Sequence, residues 1–301
     1  MANIVLLFVC LAIGMALRQS GRVPDNAHTA FNAFIIHVSL PALTLAQIHN
    51  IQMQPALIYS VTMPWLLFLG AAAFFWCIAK AMRLGAATTG ALMLTGGLAN
   101  TSFVGLPMIE TFYGAPMMAV GILIDQLGTY LVLSTLGIAI AAIYSQGAAS
   151  ARDVLKRIMT FPPFLALIAA LVLTPVEYPP WVAEVLQRLG GTLAPLALVS
   201  VGLQLRLDQV GDNGPPLAIG LAFKLLIAPF VLAVLYFQFF QATGDIVKVT
   251  VFEAAMGPQI GGAIVGIQHD LNPPLITLMV GIGITASFLT LPMWWYAMQT
   301  M

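Results

Sequence analysis

Three charged side chains stand in apolar surroundings: Asp125 in Gly-Ile-Leu-Ile-Asp-Gln, Lys224 in Ala-Phe-Lys-Leu-Leu and Glu253 in Val-Phe-Glu-Ala-Ala. A charge at the centre of a membrane-embedded helix costs at least about 2.5–3.5 kcal/mol, so each of the three needs a partner or a purpose. The chemistry open to them is binding of a coupling cation or proton at Asp125 or Glu253, with Lys224 compensating the acid when no cargo is bound. The competing role is a buried ion pair that joins helices. A second set is uncharged. Asn100, Thr101, Ser102 and Gln259 supply hydrogen-bond donors and acceptors that orient a carboxylate without a fixed charge, or that repair an opened stretch of backbone locally.

The uncharged set lies in two unusual segments, Gly96-Gly-Leu-Ala-Asn-Thr-Ser-Phe-Val-Gly-Leu-Pro107 and Gly257-Pro-Gln-Ile-Gly-Gly262. Their glycines and prolines, Pro107 and Pro258 included, oppose a continuous helix. Backbone polar groups freed in hydrocarbon cost several kcal/mol each, so a break survives only against protein or a water-filled cavity. An opened helix directs backbone N–H groups and the positive dipole end of its second half into the protein, which suits an anion. Two such ends facing each other make a carboxylate the natural guest. A simple kink is the alternative, since glycine and proline are common in membrane helices.

The chain that carries these breaks has 301 residues, 60% hydrophobic and 7% charged, which excludes an ordinary water-soluble domain. Its net charge is zero, so no long-range field draws it to nucleic acid. Apolar runs and their interruptions predict spans near 2–17, 30–48, 55–79, 86–109, 115–144, 160–176, 187–205, 215–240, 247–268 and 274–299. Met117–Ile124 and Phe164–Leu173 are apolar on every face, which favours helices over the alternating strands of a barrel. The expectation is an all-α polytopic membrane protein with no soluble appendage. Arg18, Arg22, Lys80, Arg83, Arg152, Lys156, Arg157 and Arg206 fall in the first, third, fifth and seventh connections, with only Arg188 and Lys248 opposite. That asymmetry places both termini outside the cytoplasm.

The hydrophilic stretch 145–157 is read as a cytoplasmic linker between two halves, 1–145 and 156–301. Five spans per half force the second half to cross the bilayer in the opposite sense, the inverted repeat of many secondary transporters. Pro41 and Pro195 correspond at an offset of 154, and Gly105 and Gly261 at 156. Spans four and nine, the two with breaks, are therefore counterparts.

Asn100-Thr-Ser-Phe-Val-Gly-Leu-Pro-Met, Ala254-Ala-Met-Gly-Pro-Gln and Thr285-Ala-Ser-Phe-Leu-Thr-Leu-Pro292 resemble motifs of the auxin efflux carrier superfamily, which includes plant PIN auxin exporters and bacterial permeases annotated for malate or malonate. The resemblance runs through nearly the whole chain. It implies ten helices in five-plus-five inverted order, with helices four and nine broken and crossing at mid-membrane. It also implies a scaffold (helices within 1–48 and 160–206), a transport part (55–144 and 215–299) that moves against it like an elevator, and a homodimer formed through the scaffold helices. Bile-acid sodium symporters and sodium/proton antiporters share that fold, which brings in a coupling Na+ or H+, with Asn100, Glu253 and Gln259 as candidate sodium ligands. Asp125-Gln-Leu-Gly-Thr-Tyr130 resembles the PIN pattern in which a Gln and, five positions later, a Tyr line the substrate site; Tyr130 keeps the Tyr and Asp125 replaces the Gln. An acid there favours coupled over uncoupled transport. Ser39, beside Pro41, would complete the wall of the site from the scaffold side. The second proline that PIN proteins carry in span nine is replaced by Ala263, so the break there is expected to rest on Gly261 and Gly262.

Other residues carry less. His37 is expected as an interior histidine, His269 and Asp270 as interfacial polar groups, Cys10 and Cys77 as small hydrophobes, and the methionines as packing. No zinc-protease, nucleophile-elbow or phosphate-loop motif is present, which argues against an enzyme and for the absence of a cofactor. The function expected is secondary transport of a small mono- or dicarboxylate across the cytoplasmic membrane. A non-transporting sensor and an uncoupled uniporter or channel on the same fold are the alternatives.

Overall fold

A segment apolar on every face has no polar stripe to turn toward water, and in the computed structural model such segments are helices. The structure describes residues 2–24, 26–48, 54–145, 159–204 and 213–300. We number the helices α1 (Ala2–Gln19), α2 (Ala27–Ile48), α3 (Leu57–Met82), α4 (Ala86–Gly97), α5 (101–112), α6 (Ala115–Ser145), α7 (Pro162–Val172), α8 (Pro180–Leu203), α9 (Gly214–Phe239), α10 (Asp245–Ala254), α11 (Ile260–Gln268) and α12 (Pro273–Gln299). Among the described residues the only strand-like pairing is a single antiparallel bridge between Ala99 and Pro258. Among the described residues six helices, α2, α3, α6, α8, α9 and α12, are long and apolar enough to cross a membrane. The expected all-helical, multi-span character is thus borne out. The linker expected over 145–157 lies, beyond Ser145, outside the described residues, as do Arg152, Lys156, Arg157 and Arg206.

Helix ends follow local chemistry. Arg83 takes a left-handed conformation (φ 53°) and stops α3. Asn272, also left-handed, accepts the Leu275 N–H on its side chain ahead of Pro273, a residue suited to a first helical position. The helix expected from 187 begins instead at Pro180. Its first turns carry Glu184, Gln187 and Arg188, so an apolar count misses them, yet Pro180 is pre-set for a helix start and Arg188 pairs with Glu184 at 2.6 Å one turn away.

Several helices contain a wide π turn, at 35–39, 101–105, 124–129, 133–137, 223–227 and 234–239. Such turns insert a residue into the α ladder and are frequent at functional positions.

The chain forms two compact units. The first contains Met1–Gln54, Ser102–Ile122 and Lys156–Leu205. There α1 lies on the second half of α8 at backbone contact: a Cβ on Gly14 would stand 2.9 Å from the Gly202 Cα, and one on Gly202 would stand 3.0 Å from the Gly14 Cα. Lipid supplies no hydrophobic drive between membrane helices, so close approach of small residues is what makes such a crossing adhere. The Ser39 hydroxyl pairs with Thr192 Oγ1 at 2.7 Å, and Ser200 donates to the Asn32 side-chain carbonyl. His37 is exposed on this unit and not interior as expected. An open apolar groove of about 780 Å³, bordered by Phe31, Phe34, Arg188 and Pro195, lies on the same unit and includes none of the candidate site residues.

The second unit contains Pro55–Thr101, Leu123–Leu155 and Arg206–Met301. Its core gathers α3, α4, α9, α10, α11, α12 and the C-terminal part of α6 around buried Phe75, Leu92, Leu94, Val251, Met256, Ile276 and Ile284. The Phe74 ring stacks on Phe223 at 4.5 Å, and Phe75 meets Phe223 edge-on at 4.9 Å. Both interrupted stretches, 98–100 and 255–259, belong to this unit.

Candidate functional site

The two interruptions are paired through their backbones. Helix α4 ends at Gly97, Leu98 is extended (φ −114°, ψ 124°), and the chain becomes helical again at Thr101. Helix α10 ends at Ala254, and α11 starts after Gln259, itself extended (φ −73°, ψ 132°). The Asn100 N–H donates to the Gly257 carbonyl at 2.9 Å, and the Gln259 N–H donates to the Leu98 carbonyl at 3.0 Å. Two of the amides freed by the breaks thus satisfy carbonyls freed by the opposite break, which lowers the cost of opening a helix away from water.

Glycine permits this approach at Gly257, where an added Cβ would stand 2.8 Å from the Ile284 Cα and 3.1 Å from the Gly283 carbonyl oxygen. Gly261 and Gly262 do not form the break; they lie inside the regular α11. At Gly262 the need is space, since a Cβ would sit 2.8 Å from Leu98 Cδ1. The break therefore rests on Gly257-Pro258 and not on the glycine pair after it.

Charged groups attach to two of the four broken ends. The Thr101 hydroxyl, at the start of α5, donates to Asp125 Oδ1 at 2.6 Å. Asp125 is 2% exposed and sits in the π turn 124–129. Lys224, fully buried in the π turn 223–227, donates to the Ala254 carbonyl at 2.7 Å, where α10 terminates. An acid near an amide end and an ammonium on a carbonyl end each complement the helix dipole. Lys224 thus bonds a backbone carbonyl, whereas the sequence reading paired it with an acid. Glu253, also fully buried, accepts no hydrogen bond from any described residue on either oxygen. The carbonyl that Lys224 bonds belongs to Ala254, the residue after it.

The remaining expected residues divide between the units. Asn100 is 1% exposed, and Pro258 bridges to Ala99 in the second unit. Gln259 precedes α11 there without a side-chain cap on it, and its Oε1 is buried with no partner among the described residues. Tyr130, half-buried, directly follows the π turn of Asp125. Ser39, Ser102 and Pro107 belong to the first unit: Ser39 is engaged with Thr192, Ser102 is half-buried in the π turn 101–105, and Pro107 is buried at the start of Leu106–Phe112. Sequence reasoning missed Gln126 and Thr129, at 0% and 1% exposure in the turn of Asp125. Their polarity inside an apolar run was the available signal.

A family model described as "Membrane transport protein" matches residues 1–295. An uncharacterized transporter of Methanothermobacter thermautotrophicus is 25% identical over 292 residues, 95% of this chain and 94% of the relative. An uncharacterized transporter of Methanocaldococcus jannaschii is 21% identical over 301 residues, 97% and 96% of the two chains.

Proposed function

Because this chain belongs to the membrane transport protein family, that of the auxin efflux carriers, we propose that it is a secondary transporter of a small organic anion. The observation that carries this reading is the pair of helix interruptions held together by the Asn100–Gly257 and Gln259–Leu98 hydrogen bonds. A helix that restarts inside the protein offers first-turn N–H groups with no intrahelical acceptor. At α11 those groups follow Gln259 and carry no side-chain cap. The Thr101 hydroxyl is committed to Asp125, so the substrate carboxylate falls chiefly to Asn100, Gln259 and the first turn of α11. Amides and neutral side chains in that role bind an acid firmly enough to select it and weakly enough to release it.

Asp125 and Glu253 favour coupling to Na+ or H+ over movement down the substrate gradient alone. A buried carboxylate beside an anion site repels the cargo unless a cation neutralises it. In the same reading the chain crosses the cytoplasmic membrane ten times as two inverted halves with both termini outside. Access alternates by an elevator-type displacement, and the protein works as a dimer in lipid.

Uptake of radiolabelled malonate, malate or indole-3-acetate into sealed proteoliposomes tests this. The expected result is cation-dependent uptake of one of them, abolished by Asn100→Ala and by Glu253→Gln while both variants still insert in the membrane. Unchanged rates in both variants would remove the site assignment. Flux that follows only the substrate gradient would remove the coupling.

A further inference from the structure

The apolar groove of about 780 Å³ on the first unit takes no part in the proposed transport site, and residues of that unit alone line it. One wall is α2, through Ala30, Phe31 and Phe34, and the other is the stripe of α8 that runs from Arg188 through Thr192 to Pro195. Thr192 adds no free polar group, because its hydroxyl pairs with Ser39 at 2.7 Å and donates to the Leu189 carbonyl at 2.6 Å. The charges of α8 are confined to one end. Glu184 and Arg188 precede Leu189, and from there to Leu203 the helix carries none. The groove therefore leads from a charged rim into apolar surroundings along a helix able to cross the bilayer, the same order of polarity as a lipid molecule.

The rim offers both signs of charge. Arg188 Nε and Nη2 both donate to Glu184 Oε1, at 3.1 and 2.6 Å, which leaves Arg188 Nη1 and Glu184 Oε2 without a hydrogen bond among the described residues. The two side chains are 78% and 61% exposed, so both can meet a ligand from outside. Their charges cancel. An anionic headgroup gains from the guanidinium and is repelled by the carboxylate one turn away. A zwitterionic headgroup with a primary ammonium satisfies both, its phosphate accepting from Arg188 and its ammonium donating to Glu184. A choline headgroup matches the charges but has no N–H to donate. A second copy of the chain is the other candidate cover; about a two-fold axis it would set the groove against its own image, hollow against hollow.

We propose that this groove holds a phosphatidylethanolamine molecule, one acyl chain lying between Phe31 and Phe34 of α2 and Pro195 of α8, and the headgroup astride the Arg188–Glu184 pair. The lipid is a ligand of the first unit, and its binding does not depend on which cargo the protein carries.

Thermal unfolding of the purified, delipidated full-length protein in detergent tests the proposal, with phosphatidylethanolamine, phosphatidylglycerol and phosphatidylcholine of identical acyl chains as probes. A lipid that binds only the folded state raises the Tm according to its occupancy. Phosphatidylethanolamine should reach half its effect at about a fifth of the concentration the other two need, a modest margin because both rim charges are exposed. Arg188→Gln should remove that margin. Glu184→Lys, which leaves two cations at the rim, should turn the preference toward phosphatidylglycerol. Ala30→Phe, at an exposed position where the added ring fills the groove, should also remove the margin. Glycerophosphoethanolamine, the headgroup without chains, should leave the wild-type Tm unchanged. Equal half-points for the three lipids, a margin that survives Arg188→Gln or Ala30→Phe, no turn toward phosphatidylglycerol in Glu184→Lys, or stabilisation by the chainless headgroup would overturn the proposal. A Tm that rises with protein concentration, falls in Ala30→Phe and ignores every lipid would overturn it in favour of a second copy.

Discussion

The breaks at 98–100 and 255–259 have the same backbone pairing and opposite electrostatic anchors. In the first, the helix that restarts is tied to an acid, through Thr101 and Asp125. In the second, the helix that stops is tied to a base, through the Ala254 carbonyl and Lys224. Each anchor stands on the pole its charge complements. The amide end of α11 carries neither, only Gln259 and a bare first turn. A broken helix therefore does not by itself define an anion site; a pole already matched to a fixed charge has less to offer a guest. The unmatched amide pole is where an arriving acid gains most, and the matched pair holds the frame around it.

The largest effect expected is at the second break. Gly257→Val places side-chain atoms against the Ile284 and Gly283 backbone, which cannot yield as a side-chain tip would. It should cost on the order of 3 kcal/mol, seen as a lowered Tm and loss of folded protein on size exclusion. At the first break the effect is read at the side-chain bond from Thr101 to Asp125. Thr101→Val should cost about 1.5–3 kcal/mol in reversible denaturant unfolding, since it removes the hydroxyl that donates to Asp125 Oδ1. Ser60→Ala, which breaks a neutral bond to Thr250 in the same unit, should cost only about 0.6 kcal/mol and calibrates that contrast. The smallest effect belongs to Gly261→Ala. Its Cβ is crowded by the tip of Leu133 at 3.1 Å and meets the Gln259 side chain at an ordinary 3.7 Å, and the helix propensity gained, about 1 kcal/mol, offsets the adjustment. A loss at Gly261 equal to that at Gly257 would mean that the break extends into α11.

The positions of the breaks were legible because Asn100 and Gly257-Pro258 interrupt otherwise apolar runs. Which glycine opens the chain and which only makes room was not. Gly257 and Gly262 look alike in sequence and differ in whether backbone or a side chain stands opposite. The partner of Lys224 was equally hidden, since a buried lysine signals a need for compensation without saying whether a carboxylate or a helix end supplies it. The π turns at 124–129 and 223–227 have no residue signature, because one inserted residue shifts the hydrogen-bond ladder and leaves the apolar pattern almost intact. His37 was misplaced for a related reason: hydropathy tells that a residue lies in an apolar run, not which face of the helix it occupies.

The central claim is that the two interruptions lie backbone to backbone. Ala99 and Pro258 face each other as the pair between the two cross-bonds, a geometry with a Cα separation of about 4.5 Å, within the range a disulfide spans. The direct measurement is oxidative cross-linking of an Ala99→Cys, Pro258→Cys variant in a Cys10→Ser, Cys77→Ser background, in native membranes. The account predicts rapid intramolecular disulfide formation under mild oxidant. Inserted protein whose two cysteines stay reduced, while each alone remains reactive to a small maleimide, would contradict it.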